Sequence, residues 1–104
     1  MNPEIKKVFS LIGIATKSNN IASGEFQTEK AVKEHKAALV IVAEDASDNT
    51  KKMFTNMCTY HKVPIYFCGS KSEIGHWIGK EFRASLAILD NGLADAIEKQ
   101  LKMM

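Results

Sequence analysis

Gly24, Gln27 and Lys30 are spaced so that a bare stretch of backbone, an amide and a cation converge on one point. Asn20-Ile21-Ala22-Ser23 reads as a short extended run, Gly24 ends it, and a polar helix begins at Glu25-Phe26-Gln27-Thr28-Glu29-Lys30. Glycine lets another backbone come close, because no Cβ blocks the way. The first turn of a helix carries free N–H groups and a partial positive charge, which suit phosphate or the acceptor-rich edge of an RNA base. Gln27 and Lys30 lie three residues apart and so share a helical face, and Lys30 leans back toward the helix start. By spacing alone G-x-x-Q-x-x-K is a weak pattern, and a surface helix after a turn is the simpler explanation.

Two further features carry chemistry. Lys80-Glu81-Phe82-Arg83-Ala84-Ser85 is a short segment between the glycine stop Gly79 and a strand, with an aromatic and cations in it. Taken alone it is a solvated connection, since loops are commonly polar and exposed. Lys71 lies near the start of the helix before it. Phe26 sits in the first turn of its helix, off the inward stripe, where it can stack on a base or fold over the sheet edge. Trp77 shares a face with Ile74 and Ile78 and is expected in the core. Periodicity does not fix whether these regions meet.

Catalysis finds little support. Cys58, His61 and Asp45 can be assembled on paper into a nucleophile, a base and an orienting acid. Yet Cys58 and His61 fall on the same helical stripe as Met53, Phe54 and Met57, which marks them as core. Glu44 and Asp45 follow a strand, where α/β enzymes often place acids, but no second motif supports them. Neither a dinucleotide-binding glycine fingerprint nor a P-loop is present. His35, His61 and His76 lack metal-ligand spacing. No enzyme activity, metal or cofactor is expected. The two cysteines, Cys58 and Cys68, form no C-x-x-C pair and read as buried free thiols suited to a reducing cytoplasm.

The 104 residues suit one domain, residues 1–104, with a real core. A net charge of +2 permits nucleic acid without demanding it, so any such binding should be local and shape-directed. No apolar run approaches the ~20 residues of a membrane helix, and Met1–Lys7 lacks an A-x-A-like cleavage site. Neither a membrane span nor a signal peptide is expected.

The elements that must position these residues are well marked. Asn2 caps and Pro3 opens a helix carrying Ile5, Val8, Phe9, Ile12 and Ala15, and Asn19-Asn20 stops it. The second helix runs from about Glu25 to His35, with Thr28, Ala31, Val32 and His35 inward and Gln27, Lys30, Lys33 and Glu34 outward. Leu39–Ala43 is a continuous apolar run, a strand buried on both faces. Ser47 or Asp48 caps a third helix that ends at Val63-Pro64. Ile65–Cys68 is the next strand. Ser70-Lys71-Ser72-Glu73 has capping-box form and opens a short helix ended by Gly79. A strand over Ala84–Leu89 follows, and Asp90 or Asn91 caps a last helix with Leu93, Ala94, Ile97 and Leu101 inward. This alternation predicts a three-layer α/β/α sandwich; the strand order does not follow from it.

At this point the chain resembles the ribosomal protein L7Ae/L30e family. Ala38-Leu39-Val40-Ile41-Val42-Ala43-Glu44-Asp45 is similar to that family's A-x-L-V-[IV]-[IV]-A-x-D stretch, and Gly24 to Lys30 to its G-x-N-E-x-x-K element. Val63-Pro64-Ile65-Tyr66 and Lys71-x-x-Ile74-Gly75-x-x-x-Gly79 are similar to its V-P-[YIV] strand and K-x-x-L-G-x-x-x-G helix. The match covers essentially the whole chain, in order. The resemblance implies a mixed four-stranded sheet and a non-catalytic, monomeric RNA-binding protein of the cytoplasm that stabilises kink-turn RNA, a sharply bent internal loop with tandem sheared G·A pairs, with the ribosome among its candidate partners. It further implies an RNA-binding set of Gly24, Glu25, Phe26, Gln27, Lys30, Lys71, Arg83, Ala84 and Ser85. Gly24 would permit close approach, Lys30 would meet phosphate or a guanine edge, and Lys71 backbone phosphate. Arg83, Ala84 and Ser85 would line the loop over an extruded base. Two positions depart from the pattern: the family's Asn is Phe26, which offers no donor, and its Glu is Gln27, an uncharged acceptor. A protein–protein module that keeps the fold with weakened RNA binding is the alternative reading.

Overall fold

The computed structural model describes residues 3–104, so the expected cap Asn2 lies outside the described residues. The elements, in chain order, are α1 (Pro3–Lys17), β1 (Ile21–Ser23), α2 (Glu25–Lys33), β2 (Leu39–Val42), α3 (Asp48–His61), β3 (Ile65–Phe67), α4 (Lys71–Trp77), β4 (Ser85–Ile88) and α5 (Asn91–Lys102). The strands form one mixed sheet in the order β1-β4-β2-β3. β4 is antiparallel to both β1 and β2, while β2 and β3 are parallel. Helices α2 and α3 pack together on one face, and α1 packs on α4 and α5 on the other. This is the expected α/β/α sandwich with a mixed four-stranded sheet.

The two central strands, β2 and β4, are buried along their whole length, which is why Leu39–Val42 reads as an unbroken apolar run. The two edge strands are three residues long and only partly buried, so little unpaired strand edge is presented. Phe54, Ile12, Leu39, Ile41, Ile74, Leu86 and Ile97 are fully buried and form one continuous core with their neighbours. Each such side chain contributes about 1.5–3 kcal/mol by leaving water. Trp77 stands at the margin of this core, edge-to-face with Phe9 at a centroid separation of 3.9 Å. Among the described residues, no helix is long and apolar enough to cross a membrane.

The ends of α1, α2, α3 and α4 obey one rule. Asn19, His35, Lys62 and Gly79 all have a left-handed backbone, with φ of 60°, 60°, 59° and 72°. In each case the next residue's N–H reaches back to a carbonyl five residues earlier, as in Asn20 to Ala15, Lys36 to Ala31, Val63 to Cys58 and Lys80 to Gly75. This reversal satisfies carbonyls that the helix end would leave orphaned. It corrects two expectations. His35 is not on the inward stripe of α2: the helix ends at Lys33 and His35 is the exposed reversal residue. Helix α3 ends by the left-handed turn at Lys62, one residue before Val63-Pro64. Ser47, Ser70 and Asp90 cap α3, α4 and α5, and Ser70 with Glu73 completes the capping box.

Candidate nucleic-acid interface

The sheet topology gathers the candidate residues at one end of the sandwich. Val42 of β2 is level with Ser85 of β4 and with Phe67 of β3, and Ser23 of β1 is level with Leu86. The C-terminal ends of β1, β2 and β3 therefore lie beside the N-terminal end of β4. The starts of α2 and α4 and the 79–84 segment all leave from that end.

Gly24 holds the first of these pieces in place. Its φ of 86° and ψ of 165° fall in a region that essentially only glycine enters. Its N–H donates to the Ser85 carbonyl at 2.9 Å, and its carbonyl accepts the Thr28 N–H at 3.0 Å. Helix α2 has no side-chain cap, in contrast to α3, α4 and α5. The N–H groups of Glu25, Phe26 and Gln27 are thus left at an exposed helix start with its partial positive charge.

The outer face of α2 selects one cation. Lys33 is tied to Glu29 at 2.8 Å and Lys36 to Glu34 at 3.2 Å. Lys30 is exposed and, among the described residues, makes no ion pair. It forms a wall shared by two open clefts. One, of about 420 Å³, runs along β1 and includes Gln27; the other, of about 430 Å³, includes Phe26. Gln27 and Lys30 line the same cleft, as their three-residue spacing on the helix requires.

Arg83 joins the second and third pieces to the first. Its Cδ lies 3.8 Å from where a Cβ on Gly24 would stand. Its Nη1 donates to the Phe82 carbonyl at 2.8 Å, and its backbone N–H donates to the Lys71 carbonyl at 3.1 Å. The Lys71 N–H in turn donates to Asp45 Oδ1 at 2.8 Å, which fixes the start of α4 against the end of β2. The loop rests directly on α4 at Gly75, which is buried: a Cβ there would overlap the Glu81 carbonyl. Gly24, Lys71 and Arg83 are therefore brought into one contiguous surface.

Two of the expected residues are placed differently from a surface lining. Ser85 is fully buried, the first residue of β4, with its Oγ 3.2 Å from Thr28 Oγ1. The resemblance places it in the loop, but it belongs to the strand that the apolar run predicts, and its hydroxyl is buried with Thr28 as partner. Ser85 supports the start of α2 from beneath. Ala84 is partly buried, and its carbonyl accepts the Ala43 N–H at 2.8 Å. Phe82, not among the expected contacts, is 70% exposed beside Ser72, His76 and Lys80. Its neighbours in the short loop are Glu81 and Arg83, with Lys80 one residue further back.

The paper triad does not form a nucleophilic site. Burial pushes the Cys58 thiol up to about 11, so the thiolate is disfavoured where the residue sits. Asp45 is exposed and already engaged with α4. His61 stacks edge-to-face on His35 and Tyr60. Among the described residues, no group of three or more His, Cys, Asp or Glu side chains is arranged to hold a metal ion.

The fold is that of a known class of small α/β/α proteins. The chain belongs to the ribosomal protein L7Ae/L30e/S12e/Gadd45 family, whose model matches residues 6–98. It is 39% identical over 89 residues to the RNA-binding protein YlxQ of Bacillus subtilis (strain 168), covering 86% of this chain and 89% of that protein. It is 27% identical over 97 residues to the large ribosomal subunit protein eL8 of Picrophilus torridus, covering 92% and 76% respectively. A solved structure of a protein of unknown function from Bacillus halodurans superposes with a TM-score of 0.89 at 30% identity, over 92% of this chain and 97% of that one. The Giardia lamblia 15.5kD RNA binding protein shares the fold, with a TM-score of 0.81 at 22% identity, over 99% and 88%.

Proposed function

We propose that this chain is a non-catalytic RNA-binding protein that recognises and stabilises kink-turn RNA, working as a monomer in the cytoplasm and in association with the ribosome. The observation that carries the reading is the contact of Arg83 over Gly24, which unites an uncapped helix start, an unpaired Lys30 and the 79–84 loop on one surface. Family membership and the RNA-binding and ribosomal relatives support it. The contribution of the protein would be a shift of population. It binds the bent RNA better than the extended one, and its differential affinity sets how far the equilibrium moves.

A duplex carrying a kink-turn, with a donor and an acceptor dye at its ends, tests this. Micromolar protein at low salt should raise energy transfer, and the same loop with scrambled sequence should not respond. Equal responses from the two duplexes, or none from either, would refute the proposal.

A further inference from the structure

We infer that Phe26 is the specificity-determining residue of this surface: its ring stacks on an unpaired base at the bend, so the chain selects bent RNA by stacking and phosphate contact rather than by reading particular G·A edges. The inference rests on the RNA-binding reading above. Phe26 is 71% exposed in the first turn of α2, where a helical side chain leans toward the helix start. A phenyl ring neither donates nor accepts a hydrogen bond, so it cannot read a base edge; its face can only stack. Stacking tolerates any base, because every base has a π-face. The cleft beside the ring is bounded by Glu29, Lys30, Lys33 and Glu34. Glu29 is neutralised by Lys33 and Glu34 by Lys36, which leaves Lys30 as the unpaired charge next to the ring. An exposed aromatic beside a free cation is the pairing that single-stranded nucleic acid calls for. A protein-docking core, by contrast, is depleted of charged residues, and this ring is surrounded by them.

The test uses the dye-labelled kink-turn with 2-aminopurine at each unpaired position in turn and with each G·A pair replaced in turn. The wild type, Phe26→Ala, Phe26→Asn and Tyr60→Ala are compared after thermal melts have shown each to be folded. Tyr60 is 81% exposed but lies at the C-terminal end of α3, away from this surface, and serves as the control aromatic. Phe26→Ala should weaken binding about tenfold and abolish the 2-aminopurine quenching that the wild type gives at one position. Phe26→Asn should bind with a steeper dependence on the G·A pairs than the wild type, and Tyr60→Ala should bind unchanged. A Phe26→Ala protein that bends and quenches the RNA as the wild type does overturns the inference and leaves the ring to a protein contact. A wild type that produces no bend overturns the underlying kink-turn reading instead. The dyes report the bend and 2-aminopurine reports the stack, so the two failures are distinct.

Discussion

The side chain of Arg83 lies across Gly24, with its Cδ 3.8 Å and its Nε 4.0 Å from the position a Gly24 Cβ would occupy. Residues 59 positions apart in sequence thereby form one surface, and the glycine supplies its backbone geometry rather than its emptiness. A contact at 3.8 Å is ordinary, so there is room for a methyl group. The φ of 86° is the obstacle. Gly24→Ala should therefore cost about 1–3 kcal/mol of stability, the usual cost of a non-glycine residue in this region. It should also weaken kink-turn binding by about tenfold or more, because relief of the strain rotates the first-turn N–H groups. Urea denaturation and an RNA titration measure the two effects. Unchanged stability would show that the backbone at residue 24 is freely adjustable.

Among the described residues, Thr28 and Ser85 are the two buried polar side chains, and they bond to each other. Ser85→Ala leaves the Thr28 hydroxyl buried without that partner and should cost about 1–3 kcal/mol. Adding Thr28→Val removes the orphan hydroxyl and should recover part of the loss. The Ser85 carbonyl still accepts from Gly24 in both variants, so RNA affinity should fall less than stability does. A double-mutant cycle on denaturation midpoints checks the coupling, and simple additivity of the two changes would contradict it.

Gly75 is where the 79–84 loop touches α4. Because a Cβ at this position would overlap backbone rather than a flexible side chain, Gly75→Ala forces the loop away from the helix. The expected cost is roughly 1–3 kcal/mol, typical of overpacking. The loop carries Arg83, so binding should drop together with stability, and resonances of residues 80–84 should shift most in an amide spectrum. Shifts confined to α4 would mean that the helix yields and the loop does not.

The helices and strands were legible because burial imposes a period on the sequence: Val8, Ile12 and Ala15 recur at helical spacing, and Leu39–Val42 is apolar throughout. Caps were legible for the same kind of local reason, as Ser70 and Glu73 must lie three residues apart to bond reciprocally. Helix ends were legible where the residue itself favours a left-handed backbone, at Asn19 and Gly79. They were not at Lys62, which has no such preference, nor at His35, whose spacing also fits the inward stripe of α2; both are set there by the chain reversal. Strand order escaped the sequence because it depends on pairings such as Val42 with Ser85, which no local pattern encodes. The candidate surface was visible as three separate segments. Their meeting depends on the hydrogen bond from Arg83 to Lys71 and on the Arg83–Gly24 contact, both of which arise only once the sheet has formed.

The two thiols give a prediction in pH. Cys58 and Cys68 are both buried, and burial raises each from 9.0 to about 11, with the charges of Glu44 and Glu73 adding to the effect at Cys68. The folded chain therefore holds both protons to a higher pH than the unfolded chain does. Their contribution to stability is full below the unfolded value of about 9 and is lost as pH rises through about 11, because the unfolded state releases protons first. At neutral pH, a thiol-reactive disulfide should label neither cysteine in the native protein and both in urea. Between pH 9 and 11 the denaturation midpoint should fall. The fall is read against a Cys58→Ala, Cys68→Ala variant, which should show a shallower slope, so that contributions other than the thiols cancel. Rapid labelling of either thiol at neutral pH, or equal slopes in the two proteins, would mean that the cysteines are open to solvent in the native state.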